Sequence, residues 1–368
     1  MNNCTLIIDG NWLLMSRLGP KMSEFSVLND QQQLQAASDD LVDFLAQSVN
    51  KVINLFEGNI DNILMVQDGG SWRKHYPKPK LYTDEYKANR QRAEEVDWSY
   101  IWKALNSFCN NFQENNITCT QAPGIEGDDW CWFWSRWCNR NNINTIIWTS
   151  DCDLKQLVQC DPVTSRWTAW FNDRAGLVLN KYYDTSSLSE VDQFFNFELE
   201  DPQIRGLVEN MKQRGHAVSY IEPDDIRMDK IICGDAGDNI KAIVRIPNGK
   251  RICKVSSKEW NVVRESLNIN NLQDLIDNRE EVIDNVKHLK RFTSCTDSNE
   301  DIMDMLDYNF HMVVLDESYI PQEQRDIMES QIDNYKVADL EYLRNNYRVL
   351  SNIDGDIEDL FSGIDSLI

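Results

Sequence analysis

At 368 residues, 42% of them hydrophobic and 26% charged, the chain has the size and composition of a globular protein of about two domains. No apolar run approaches the roughly 20 residues of a membrane span, and the opening MNNCTLIIDG lacks the basic region of a signal peptide, so a cytoplasmic protein without membrane partners is expected. The formal net charge of −23 weighs against a general nucleic-acid binder, because phosphates call for Lys and Arg.

In chain order, short apolar runs at 5–8, 62–66 and 144–149 predict buried parallel strands, each followed closely by Asp. Helical spacing of apolar residues predicts helices over 31–56, 98–115 and 128–140 between and around them. Alternation of this kind implies an α/β fold, a mostly parallel sheet flanked by helices, with any ligand at the carboxyl ends of the strands. Residues 164–182 read as a hairpin that closes this half. A boundary is expected near 190, with a more helical domain over 191–335, a last helix over 336–350, and a tail. The ten cysteines lie singly without a CxxC pair, which argues for reduced thiols and against structural zinc.

Acidic motifs recur in order: IIDGN with Asp9, VQDGG with Asp68, GIEGDDW with Glu126, Asp128 and Asp129, TSDCD with Asp151 and Asp153, and GDAGDN with Asp235 and Asp238. Each acid alone reads equally well as a turn residue or a helix N-cap. Jointly the first three strand ends would crowd carboxylates that must take up protons or a cation. With only four His in the chain, an all-oxygen donor set suits Mg²⁺ or Mn²⁺, and two such ions could drive phosphodiester hydrolysis.

Two basic islands interrupt the acidic background. One spans 71–92, with Arg73, Lys74, Lys78, Lys80, Lys87, Arg90 and Arg92; the other spans 239–258, with Lys241, Arg245, Lys250, Arg251, Lys254 and Lys258 and no acid. Either could be a solvated face, but both adjoin carboxylate motifs. Trp130, Trp132, Phe133, Trp134 and Trp137 crowd one helix and are expected to be core rather than a base-stacking platform.

The order IDG, DG, Tyr86-Lys87-x-x-Arg90, ExDD, SDxD and GDxxDN resembles the 5′-nuclease superfamily of flap endonucleases and phage 5′-exonucleases, and most nearly the ribonuclease H branch of T-even phages. That branch also has a Trp-Arg pair, here Trp72-Arg73, and a late segment like 309–323, read as a final strand and turn. The resemblance implies a core over 1–190 with an arch at 71–95, a duplex-binding helical domain over 191–335, and a C-terminal helix and tail over 336–368. It implies that Asp9, Asp68, Glu126 and Asp128 hold one ion, and that Asp151, Asp153 and Asp238, with Asp129 and Asp235, serve a second. Lys87 and Arg90, one helical turn apart, and Arg73 would grip the scissile phosphate. Tyr82 and Tyr86 read equally well as stacking on an unpaired base near the arch and as core. Lys241, Arg245, Lys250, Arg251 and Lys254 would hold duplex through a helix–three-turn–helix whose missing glycines count against a K⁺ ion.

The expected activity is 5′→3′ exonuclease, flap endonuclease and RNase H cleavage of flap, nicked or RNA·DNA hybrid duplex in phage replication, by a monomer. The tail IEDLF, bounded by Ile357 and Phe361, resembles a sliding-clamp peptide; a single-strand-binding protein is the other implied partner. The alternatives are a non-catalytic nucleic-acid-binding scaffold and a PIN-type endoribonuclease.

Overall fold

The computed structural model describes residues 3–28, 30–89, 96–161, 166–184, 202–248 and 251–351. Arg90, Lys250, the end of the arch segment, the expected boundary at 190 and the 357–361 tail lie outside them.

A mixed, mostly parallel sheet forms the centre. Its strands are β1 (Cys4–Asp9), β2 (Asn62–Val66), β3 (Thr118–Thr120), β4 (Asn144–Trp148), β5 (Gln159–Asp161), β6 (Arg166–Asn172), β7 (Gly176–Asn180) and β8 (Val218–Ile221). They lie in the order β3-β2-β1-β4-β6-β7-β8, with β5 on β6; the β5–β6 and β6–β7 pairs are antiparallel and the others parallel. Among the described residues, the helices of six residues or more are α1 (Gly10–Leu18), α2 (Gln31–Leu55), α3 (Trp98–Glu114), α4 (Gly127–Arg140), α5 (Pro202–Gln213), α6 (Pro223–Cys233), α7 (Ser257–Leu267), α8 (Leu272–Asp277), α9 (Arg279–His288), α10 (Asn299–Val313), α11 (Gln322–Glu329) and α12 (Leu340–Asn345).

The central strands are apolar throughout because both faces are covered. Leu6, Ile8, Ile63, Met65 and Ile146 point to one face, against α2 and α3. Ile7, Leu64, Val66 and Ile147 point to the other, against α4 and a layer that includes α6, α7, α9 and α10. Trp130 and Trp134 are fully buried in that second layer, as expected for core. Continuity of one apolar cluster from the sheet through α4 to α6 and α10 seats the helical half on the strand ends that carry the acids.

The sheet takes up one more strand beyond the 164–182 hairpin, since β8 joins β7 in parallel register. Two expectations are corrected. Residues 309–313 finish α10 rather than start a strand, because Met305, Leu306, Phe310 and Val313 continue its buried helical face. Within the stretch 336–350, read as one helix, only Leu340–Asn345 is α-helical, with a 3-10 turn over Tyr347–Leu350, and Tyr335 and Lys336 instead run extended over the sheet, bonded to Asn62 and Thr118. In the helical half, α6 is followed by the 234–244 loop and an antiparallel pair, β9 (Arg245–Asn248) and β10 (Arg251–Lys254), before α7. That ribbon lies in the stretch read as a helix–three-turn–helix-like hairpin, between the helices α6 and α7.

Candidate metal and nucleic-acid site

The acids converge because parallel strands end at one edge. Asp9 closes β1, Asp68 follows β2, and Asp151 follows β4, while Glu126 and Asp128 enter at the start of α4. A Cβ added to Gly127 would stand 3.1 Å from Asp68 Oδ1 and 4.0 Å from Asp9 Oδ1, so the backbone of α4 meets two carboxylates at its first residue.

The modest readings of these acids hold as well. Asp9 Oδ1 caps α1 by accepting from the Trp12 amide at 3.0 Å, and Oδ2 accepts from Thr149 Oγ1 at 2.8 Å. Asp151 caps its own turn through the Asp153 amide, Asp68 accepts from the Gly127 amide at 2.6 Å, and Glu126 forms a capping box with Asp129. Capping engages oxygens locally without relieving the charge. Burial pushes the Asp9 carboxyl up to about 7, with Asp68 and Asp151 adding to the rise. Burial, then Asp151, raises Asp128 well above the usual carboxylate range. Hard oxygen donors whose carboxyls are pushed up by burial and by one another fit a divalent ion such as Mg²⁺ or Mn²⁺. The carboxylates are gathered rather than closed round one point: among the described residues no group of three or more His, Cys, Asp or Glu is arranged to hold an ion.

Basic side chains already occupy part of the site. Lys87 Nζ contacts Glu126 Oε1 and lies 3.8 Å from Asp238 Oδ2. Burial would raise the Glu126 carboxyl, but Lys87 and Arg73 outweigh it and hold it at about 2. At the far end Lys230, on α6, contacts Asp153 Oδ1 and lies 2.5 Å from Asp235 Oδ2. Burial and Asp151 raise Asp153 to about 6 against the pull of Lys230, whereas Asp235 stays below its ordinary value because its bonds to Lys230 outweigh its burial.

This chain is similar to the phage T5 5′-exonuclease. With that protein carrying bound zinc, the identity is 16%, over 95% of this chain and 99% of the other, at a TM-score of 0.45. With the bacteriophage T5 flap endonuclease in a pseudo-enzyme–product complex with DNA and metal ions, the identity is 15%, over 95% and 100%, at a TM-score of 0.49. No family model and no curated protein matches the chain. Identities this low leave the role of each side chain to be argued from this chain's own geometry.

That geometry relocates several residues expected to touch nucleic acid. Arg73 is 2% exposed and lies beneath the acids, donating to Glu126 at 2.9 Å and to both oxygens of Asp129 at 2.8 and 3.1 Å. Its bonds are spent on these two carboxylates, and Asp129 is fully buried against it. Tyr86 is buried too, its hydroxyl donating to Asp238 at 3.1 Å, which removes its ring from base stacking. Residues 86–89 form a turn instead of the predicted basic helix, with Lys87 at φ +57°. Lys87 thus stands on a turn and not on a helix, and Arg90 lies outside the described residues.

The two basic islands are neighbours, stitched together. Lys241 pairs with Asp84 at 2.6 Å, Arg245 donates to the Leu81 carbonyl, Asn239 donates to the Glu85 carbonyl at 2.8 Å, and the Lys87 amide donates to the Asp238 carbonyl at 2.9 Å. Lys254 donates to the Cys233 carbonyl at 3.1 Å, and Arg251 is exposed on β10 beside Ile252. Sequence reading missed Lys230, Ser71, which donates to Glu126 at 2.9 Å, and Thr149. Lys230 had a signal: it stands one helical turn before the Gly that opens GDAGDN, so α6 must aim it at that loop.

Proposed function

We propose that the chain is a divalent-metal-dependent 5′-nuclease. It acts as a 5′→3′ exonuclease and flap endonuclease with RNase H activity, and removes RNA primers and adjacent DNA in phage replication. The reading is supported above all by one observation: Asp9, Asp68, Asp128 and Asp151 gather at one sheet edge, where burial and neighbouring carboxylates push Asp9 and Asp128 up.

Asp9, Asp68, Asp128 and Asp151 would hold the ion, Mg²⁺ with Mn²⁺ able to replace it. When bound, such an ion supplies an acidified water and neutralises charge on the scissile phosphate. The chain contributes the rest. Thr149 and the Trp12 amide fix the orientation of Asp9, and the Gly127 amide fixes Asp68. Buried Arg73 anchors the start of α4 by its bonds to Glu126 and Asp129. Lys87, at the mouth of the site and half-buried, is the ammonium placed to exchange Glu126 for a substrate phosphate, and Arg251 offers a contact to duplex backbone. The sliding clamp and a single-strand-binding protein are proposed partners.

Cleavage of 5′-flap DNA, nicked RNA·DNA hybrid and single-stranded RNA, each with Mg²⁺ or EDTA, tests the reading. Metal-dependent cutting of flap and hybrid is expected. Cutting that survives EDTA rejects the metal; cutting of single-stranded RNA alone favours a PIN-type ribonuclease; binding without cutting favours a scaffold.

A further inference from the structure

The carboxylate site is unevenly neutralised. Among the described residues, Asp9, Asp128 and Asp151 form no ion pair. At the other end, Lys230 lies between Asp153 and Asp235 within hydrogen-bond reach of both. An ammonium in that position supplies the charge and fills the space that a cation bridging the two acids would need.

Lys230 is also held there. Its helix α6 buries Met228, Ile231 and Ile232 completely against the helical half, and its side chain is only 20% exposed. Arg227, the neighbouring cation on α6, is committed to Asp224 at 2.7 Å and the Gln156 carbonyl at 2.6 Å, so it does not share the task. Lys87, by contrast, rises from a turn and not from a helix.

The geometry points to Lys230 as the resident cation of the Asp153–Asp235 end, so that without nucleic acid the chain takes up one divalent ion, at the Asp9–Asp128–Asp151 end, and not two. The inference rests on the metal-dependent reading above and replaces the two-ion site expected from the acidic motifs. Lys230 is a positioning residue here. It fixes two carboxylates and excludes an ion, and a second ion enters only where something draws the ammonium off.

The test counts Mn²⁺ bound to the full-length protein without nucleic acid, by the electron paramagnetic resonance signal of free Mn²⁺. One ion per chain is expected for the wild type and for Lys230→Arg, and two for Lys230→Met, which keeps the length and removes the charge. Two ions of comparable affinity in the wild type, or one in Lys230→Met, overturn the inference. Thermal unfolding gives a second readout that also serves if Lys230→Met is unfolded in EDTA. The variant should have the lower midpoint in EDTA and gain more than the wild type from Mn²⁺; an equal gain overturns the inference. Flap cleavage by the wild type keeps the nuclease reading in place whichever way the count falls, whereas a wild type that binds no ion overturns both.

Discussion

Replacing Arg73 by Met separates a structural cation from a substrate-binding one. The guanidinium is 2% exposed, stacks 4.4 Å over the Trp72 ring, and makes three hydrogen bonds to two carboxylates. At an effective dielectric near 20, each of the two charge pairs is worth about 6 kcal/mol of attraction before desolvation is subtracted. Removing one partner of a buried ion pair costs about 3–5 kcal/mol, because the other charge stays buried. Glu126 keeps Lys87 and Ser71 as partners, so the loss concentrates on Asp129. Asp129 is fully buried and retains only the Trp72 indole N–H at 3.1 Å and the Glu126 amide at 3.2 Å. Urea unfolding of Arg73→Met at pH 7 should show a loss of about 3–5 kcal/mol. Adding Asp129→Asn should restore most of it, since the double variant leaves no uncompensated charge. A loss below about 1 kcal/mol together with lost cleavage would refute the argument and return Arg73 to the substrate.

Stability in EDTA should fall as pH rises from about 4 to about 7, because Asp9 keeps its proton to about 7 in the fold but loses it near 3.8 when unfolded. The native state binds more protons over that window, and Asp153, raised to about 6, has the same sign. Unfolding titrations with excess Mg²⁺ should flatten the slope, and a slope unchanged by Mg²⁺ would show that the ion binds elsewhere. Asp128→Asn should raise the thermal midpoint in EDTA, abolish its Mg²⁺ response and abolish cleavage. Lys87→Met should lower kcat about 10²–10³-fold, read by single-turnover flap cleavage, if its ammonium stabilises the phosphate. Gly69→Ala should cost at least about 2 kcal/mol in urea, because its Cβ would fall 1.7 Å from the Ala122 carbonyl oxygen and backbone would have to shift to make room.

Periodicity and motif order determined much of this protein. The runs at 5–8, 62–66 and 144–149 are strands β1, β2 and β4 within a residue or so at each end, because fully buried parallel strands must be continuously apolar. Aspartates closely following such strands have to gather, since parallel strands end on one side. What the sequence could not show was the direction of each charged side chain. Arg73 and Lys87 belong to the same basic island, yet one is sealed against Asp129 and the other reaches Glu126 from a partly exposed turn, a difference made by partners distant in sequence. Lys241 and Arg245 were legible as cations but not as the stitches that bind one island to the other. Lys230 was absent from any acidic motif, and only the packing of α6 against the strand ends brings it between Asp153 and Asp235. Local pattern sets which residues are buried and where strands stop; the pairing of charges depends on segments tens to hundreds of residues apart, and that is decided only when the two halves of the chain close on each other.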